Sequence, residues 1–249
     1  MNIILSIIAV VFFFMILIIP HEFGHFIASK LLGVGVEEFS FGMGPALLQK
    51  QGKKTLYSVR AFPIGGYCKL AGEEEDDGSE DAFVTKPAWK KVIILMAGVT
   101  MNVLTAFIIM TAIFLALYGD PLKAPVYAAQ AVYNMTGLIG QSLYMLFTGG
   151  IALNELSGPV GIIGAVNETV SAGLVEYFAL TALLCVNLAI FNALPFPALD
   201  GGRTLMVVIR KFTGGMISDK TEAVIHGAGM LILLGLMFVV TFRDVIKLM

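Results

Sequence analysis

Four stretches of the sequence are apolar for about twenty residues or more, and they constrain the fold more than any other feature. The helices expected from them cover residues 3–29, 92–118, 174–194 and 223–242. Each is long enough to cross a hydrocarbon layer of about 30 Å. With 57% hydrophobic and 14% charged residues, the chain is too apolar for a water-soluble domain. The sequence therefore predicts a membrane protein with four transmembrane helices.

The first apolar stretch has an alternative interpretation as a cleaved signal peptide. No basic residue precedes the apolar run, however, and no small-residue cleavage pattern follows it. We therefore interpret this stretch as the first membrane helix.

Two further segments complete the expected fold. Residues 36–70 contain short β-prone runs punctuated by glycine, which predicts a cytoplasmic β-hairpin region. Residues 135–172 are apolar but interrupted by glycine, proline and Glu155, which favours short amphipathic or re-entrant helices in the outer leaflet. The predicted fold class is an all-α polytopic membrane protein with a small membrane-associated β-hairpin sheet after the first helix and amphipathic helices before the third. All 249 residues form one core in this interpretation.

The basic residues predict the orientation of the chain. Nine of the sixteen lysines and arginines lie between the first and second spans, four lie between the third and fourth, and three lie on the other side. Both basic loops are therefore expected in the cytoplasm and both chain ends outside. The acidic run from Glu73 to Asp81 is expected to be a solvated loop, with partner binding as an alternative.

Other composition features exclude some classes. Cys68 and Cys185 fall in a cytoplasmic loop and a membrane helix, so a disulfide is not expected. No basic patch interleaved with aromatic residues indicates nucleic-acid binding.

The strongest chemical signal is the sequence His21-Glu22-Phe23-Gly24-His25 at the end of the first span. Histidines four residues apart share one face of a helix and can bind one zinc ion. Glu22 points elsewhere on the helix and can act as general base on a metal-bound water. The alternative is a pair of buried histidines satisfied by polar neighbours, which is costly inside lipid. Pro20 is expected to bend the helix just before these residues.

A catalytic zinc needs a third protein ligand, and two residues are candidates. Asp200 follows a proline-broken helix end at about the same inner depth as the histidine pair, which makes it the stronger candidate. The other candidate, His226, lies near the start of the last span, four residues after Glu222. Alternatively, Asp200 is only the N-cap of a helix that begins near Thr204.

These motifs together resemble the site-2 protease family of intramembrane zinc metalloproteases, and the bacterial regulator-of-sigma proteases in particular. The resemblance is carried by HEFGH in the first span and by NALPFPALDGG (192–202) in the third. It extends to FSFGMGP (39–45), RAFPIGGYCKLAGE (60–73), AGVTMN (97–102) and SGPVGI (157–162).

The resemblance implies one Zn²⁺ per chain, held by His21, His25 and Asp200, with Glu22 as general base. It also implies that Asn192 contacts the substrate or the reacting carbonyl. Two departures stand out. The PDZ domain usual between the second and third helices has only about a dozen to twenty residues in its place, and Cys68 stands where the family is expected to carry valine.

Substrate-binding residues are expected on the hairpin and the second span. A small sheet with a free edge can take an extended peptide by strand addition beside Gly42, Gly44, Gly65 or Gly66. The alternative is a hairpin that only plugs the helix bundle. Asn102 and Gly98 share a face of the second span, where Asn102 is a candidate for substrate contact and Gly98 for helix packing.

The expected function is hydrolysis of a peptide bond within or near the transmembrane segment of single-span membrane proteins. The resemblance implies substrates such as trimmed anti-sigma factors or remnant signal peptides, and a bacterial inner membrane location. The expected partners are these substrates and the lipid bilayer, with no nucleic acid. The alternatives are a metal transporter, which would need ligands spread along a path, and a scaffold that binds membrane helices.

Overall fold

The computed structural model describes residues 3–73, 78–150, 157–214 and 219–248. Its elements, in chain order, are α1 (Ile3–Leu32), β1 (Val36–Gln51), β2 (Leu56–Leu70), α2 (Ala88–Tyr118), α3 (Ala124–Thr148), α4 (Pro159–Ala172), α5 (Leu174–Ala193), α6 (Asp200–Phe212) and α7 (Asp219–Leu248). Within these residues, α1, α2, α5 and α7 are long and apolar enough to cross a membrane. The predicted fold class is therefore confirmed.

Three of the helices at the membrane spans, α1, α2 and α7, are longer than the apolar runs that predict them, whereas α5 ends at Ala193, one residue before the end of its run. The first continues through Pro20 to Leu32, and the last begins at Asp219 and ends at Leu248. Hydropathy marks only the part of a helix that lies in hydrocarbon, whereas the backbone hydrogen bonds continue into the polar layer on either side.

The segment before α5 is more regular than the sequence suggests. A single 25-residue helix, α3, begins at Ala124 rather than near residue 135, with a proline in its first turn. It ends at Thr148 and is capped by Gly149, whose φ of 79° lies in the left-handed region. The connection from α2 to α3 is therefore only residues 119–123. Glu155, in the expected amphipathic segment, and residues 74–77 of the acidic run lie outside the described residues.

The chain divides into two compact units. One comprises Met1–Phe13, Val103–Ile190 and Met230–Met249, and the other Phe14–Asn102 and Phe191–Gly229. In the first unit, Tyr177 of α5 donates a hydrogen bond to the Ala9 carbonyl at 2.9 Å. Its ring also contacts Phe13 edge to face. These contacts fix the N-terminal part of α1 against α5.

The first turn of α4 is held by a carboxylate from α7. The backbone N–H groups of Gly158 and Gly161 both donate to Asp244 Oδ2 at 2.8 Å. The Asp244 residue is only 6% exposed. The SGPVGI stretch thus forms the start of α4, and two of its backbone N–H groups donate to a side chain of α7 instead of to a carbonyl within the helix.

Asp244→Ala is expected to lower the free energy of unfolding by about 3 kcal/mol, because the buried amide of Gly158 and the partly buried amide of Gly161 lose their acceptor. Thermal unfolding in detergent should show a lower Tm. Asp120→Ala, which removes an exposed carboxylate bonded to the amides of Leu122 and Lys123, should lower it less. Equal shifts for the two variants would contradict a buried capping role for Asp244.

The second unit contains the β-hairpin and a small apolar core. The buried core residues are Ala28, Val34, Val36, Leu70, Phe83, Ile94 and Leu95. The two strands are antiparallel and strongly bent, so that Phe39 of β1 pairs with both Cys68 and Tyr57 of β2. Among the described residues, the 66–70 end of β2 pairs with β1 on one side only. This leaves one edge of the sheet free.

Candidate metal centre

Three side chains that are distant in sequence meet in the second unit. His21 and His25 occupy one face of α1, and their Nε2 atoms are 3.2 Å apart. Asp200 Oδ2 lies 3.1 Å from His21 Nε2 and 3.4 Å from His25 Nε2. Both histidines are buried. Among the described residues, this is the one group of three or more His, Cys, Asp or Glu side chains close enough to share a metal ion.

The separations between these three atoms suit a metal ion with tetrahedral coordination. Zinc bonds of about 2.0–2.1 Å at tetrahedral angles require ligand atoms about 3.3 Å apart, close to the three separations found. His25 Nδ1 donates to the Ile94 carbonyl at 2.8 Å, which leaves the Nε2 lone pair directed at the group. Asp200 Oδ2 is shielded from solvent and has no ordinary hydrogen-bond donor in the described part of the chain. Three converging lone pairs repel one another unless a cation lies between them.

A broken helix end presents Asp200. The chain leaves α5 at Ala193, passes through Pro195 and Pro197, and enters α6 at Asp200 itself. The N-cap of α6 is Leu199, without a side-chain cap, so the interpretation of Asp200 as an N-cap for a helix near Thr204 is wrong. A Cβ at Gly202 would lie 2.0 Å from the Phe196 carbonyl oxygen, so only glycine permits this tight entry.

The charge state of Asp200 also suits a ligand. Burial alone would raise the pKa of this carboxyl, but the positive charge of a protonated imidazole at His21 or His25 holds it below its ordinary value. Asp200 is therefore a carboxylate, which is the form that binds a metal.

Glu22 lies beside this group and next to the hairpin. Its carboxylate accepts a hydrogen bond from the Cys68 N–H, and a Cβ at Gly66 would lie 3.8 Å from Glu22 Cγ. A cavity of about 300 Å³ borders Glu22, and its lining also includes His21, His25, Tyr67, Cys68, Glu73, Asp200 and Arg203. Glu22 is thus placed to act on a molecule in the cavity rather than as a fourth ligand.

The structure places both Gly98 and Asn102 of α2 against the histidine pair. A Cβ at Gly98 would lie 2.5 Å from His25 Nε2 and 2.8 Å from His21 Nε2. Asn102 is fully buried, and its Nδ2 lies 3.4 Å from His21 Nδ1. When His21 Nε2 binds a metal, Nδ1 carries the proton and needs an acceptor. A half-turn of the amide supplies Asn102 Oδ1, which has no hydrogen-bond partner among the described residues.

Asn102→Ala is therefore expected to weaken zinc binding about 10–100-fold, because His21 loses the group that orients its ring. Asn102→Asp keeps an acceptor and should bind zinc more tightly than Asn102→Ala. Competition with a chelator of known affinity measures both variants. A native zinc affinity in Asn102→Ala would contradict this role. The substrate contact predicted from the sequence would then be the remaining role for Asn102.

The remaining predicted residues lie in different surroundings. Asn192 lies near the end of α5, and the distance from its Nδ2 to His21 Nε2 is 3.5 Å. Asn192 therefore borders the group formed by His21, His25 and Asp200. His226 is not part of that group, and its Nδ1 accepts a hydrogen bond from the Ala198 N–H. Of the hairpin glycines, Gly66 lies beside Glu22, whereas Gly42, Gly44 and Gly65 have positive φ values at bends of the strands.

One feature of the cavity carried no recognised signal in the sequence. Arg203 forms an ion pair with Glu73, whose second carboxylate oxygen accepts from the Leu70 N–H at 3.2 Å. This contact ties the free end of β2 to the helix that starts with Asp200. The two residues are 130 positions apart, so no periodicity or local spacing reveals the pair. The only hint is that Arg203 directly follows the Asp-Gly-Gly run.

The fold and this site together define a polytopic membrane protein with a buried centre suited to one metal ion. The chain belongs to peptidase family M50, whose sequence pattern matches residues 9–236.

Several curated relatives are similar over nearly the whole chain. A Fusobacterium nucleatum protein, provisionally named a zinc metalloprotease, is 29% identical over 94% of this chain and 96% of its own length. The zinc metalloprotease RasP of Shouchella clausii is 24% identical over 100% of both chains. The regulator of sigma-W protease RasP of Bacillus subtilis is 22% identical over 98% and 99%. These alignments run over 327, 419 and 416 positions, so the relatives carry segments without a counterpart among the 249 residues of this chain.

Proposed function

We propose that this protein is an intramembrane zinc metalloendopeptidase that cleaves single-span membrane proteins within or near their transmembrane segment. The observation that carries the proposal is the meeting of His21, His25 and Asp200 at separations that suit one tetrahedral zinc, with Glu22 on the same cavity. The two histidines and Glu22 lie on α1, a helix long and apolar enough to span a membrane.

The proposed roles follow from the chemistry of each side chain. His21, His25 and Asp200 hold one zinc ion per chain, which supplies a Lewis acid that polarises a carbonyl and makes water acidic when it is bound. Glu22 accepts a proton from the attacking water and then delivers it to the leaving amide nitrogen. Asn192 Nδ2, at 3.5 Å from His21 Nε2, donates a hydrogen bond to the oxygen of the reacting carbonyl.

The free edge of β2 is the proposed docking site for the substrate backbone. Its Cys68 and Leu70 N–H groups are bonded to the carboxylates of Glu22 and Glu73, which occupy the positions that strand carbonyls would take. An extended substrate that replaces these carboxylates adds a strand beside the metal centre. Strand addition also unwinds the substrate helix, whose carbonyls are otherwise hydrogen-bonded within it.

The proposed location is the bacterial inner membrane, with both chain ends outside and the site near the cytoplasmic face. Thirteen of the sixteen basic residues fall in the two loops assigned to the cytoplasm. His21 lies about 28 Å along α1 from its outer end, near the inner boundary of a 30 Å layer. The proposed substrates are trimmed anti-sigma factors or remnant signal peptides, a choice supported by the relative named as a regulator of sigma-W protease.

Cleavage of a defined substrate by the purified full chain tests the proposal. The chain is incubated in detergent with a model single-span protein, with a zinc chelator, and with chelator followed by excess zinc. We expect cleavage within or near the span, its loss on chelation and its return with zinc. A chain that binds zinc and substrate without cleavage would support a scaffold. Zinc uptake into vesicles without cleavage would support a transporter, and either result overturns the proposal.

A further inference from the structure

The third histidine of the chain contacts the turn that presents Asp200. His226 Nδ1, on α7, accepts a hydrogen bond of 2.9 Å from the Ala198 N–H, two residues before Asp200. An accepting Nδ1 places the ring proton on Nε2. That nitrogen is buried and lies 3.9 Å from Glu222 Oε1, and Glu222 in turn pairs with Arg210 at 3.0 Å. The imidazole is therefore used as a neutral acceptor for one backbone amide.

The residue that His226 holds has a strained backbone. Ala198 has a φ of 77°, and in the described part of the chain it is the only residue other than glycine with a positive φ. A side chain with a Cβ is disfavoured in this left-handed region, so the conformation persists only where neighbouring contacts hold it. The reversal at Ala198 lets the chain leave the two prolines and enter α6 at Asp200.

A second contact packs α7 against the same turn, at Pro197. A Cβ at Gly229 would lie 2.5 Å from Pro197 Cβ and 2.6 Å from the Pro197 carbonyl oxygen. Residues three apart lie on the same face of a helix, so His226 and Gly229 meet the turn together. The backbone of α7 packs directly on Pro197 while the His226 ring reaches the next amide.

We propose that His226 is a positioning residue of the metal centre that acts through the Ala198 backbone and not as a ligand. Its hydrogen bond keeps Ala198 in the left-handed conformation, and this conformation directs Asp200 Oδ2 at the Nε2 atoms of His21 and His25. The inference rests on the metal centre alone, because it concerns zinc binding and does not require peptide cleavage.

The test uses four variants of the purified full chain: His226→Leu, His226→Asn, Ala198→Gly and the double variant with His226→Leu and Ala198→Gly. Leucine removes the acceptor, whereas asparagine places Oδ1 where Nδ1 stood. Glycine adopts a positive φ without help, so it should remove the need for the histidine. Zinc stoichiometry and the rate of zinc loss to a chelator are measured for each, with size-exclusion profiles to show that the chains are folded.

We expect His226→Leu to lose zinc about ten times faster than the native chain, and His226→Asn to stay within about threefold of it. The double variant should lose zinc nearly as slowly as Ala198→Gly alone. Val224→Ala, at an exposed position two residues from His226 on α7, should leave the zinc rate unchanged. If the substitutions only damaged α7 in general, His226→Asn and His226→Leu would lose zinc equally fast, and adding Ala198→Gly would not slow the loss. Equal zinc loss in those two variants, native zinc retention in His226→Leu, or no recovery in the double variant overturns the proposal.

Discussion

Glu22→Gln is expected to retain one zinc ion per chain while peptide cleavage falls about 1,000-fold or more. A glutamine of nearly the same size keeps the contacts of this position but cannot accept a proton, and general acid–base catalysis contributes about 10²–10⁴-fold. The proposed ligands are His21, His25 and Asp200, so the metal should stay in place. Zinc per chain is measured by elemental analysis, and cleavage is measured on a model single-span substrate.

The proposed ligands provide the comparison for Glu22. His21→Ala and Asp200→Ala should each lose both zinc and cleavage, because two remaining ligands hold zinc weakly. The pair of readouts therefore separates the general base from the metal site. Substantial cleavage by Glu22→Gln would refute its assigned role, and stoichiometric zinc in Asp200→Ala would refute the third ligand.

Gly98→Ala is expected to lower zinc affinity about 100-fold or more, a large effect for the addition of one methyl group. The new Cβ would lie 2.5 Å from His25 Nε2 and 2.7 Å from His21 Cε1, far inside van der Waals contact. His25 cannot move away without breaking its hydrogen bond to the Ile94 carbonyl. The methyl group therefore displaces the ligand atoms that the metal needs.

The expected effect of Gly98→Ala on stability separates a loss of zinc from unfolding. Alanine is favoured over glycine inside a helix by up to about 1 kcal/mol, so zinc loss in Gly98→Ala need not come with unfolding. Gly227→Ala is the matched control, since a Cβ there would lie within 4 Å of no heavy atom from another described segment of the chain. It should keep native zinc affinity. If Gly98→Ala binds zinc as tightly as Gly227→Ala, the close approach of α2 to the imidazoles is wrong.

Local patterns predicted the membrane helices and two of the three side chains that meet at the candidate metal centre. A span needs only a sufficient length of apolar chain, and the pair His21 and His25 needs only the four-residue repeat of a helix. The same reasoning missed the extent of α3, whose mean hydropathy is lowered by polar residues such as Gln130 and Asn134 although the helix is continuous. It also left Asp200 open between a ligand and an N-cap, because both roles suit an acidic residue after a broken helix.

The proposed roles of Gly98, Asn102 and His226 rest on contacts between distant segments. Asn102 is 81 positions from His21, and His226 is 28 positions from Ala198. Nothing in the neighbouring residues says which face of a membrane helix meets the metal centre, because both faces are apolar in composition. Sequence alone thus determined that the chain spans a membrane and carries a pair of histidines, in the sequence HEFGH, in the C-terminal half of its first membrane helix. The tertiary structure alone decided which side chains surround that pair, because converging atoms depend on packing between helices rather than on spacing along one of them.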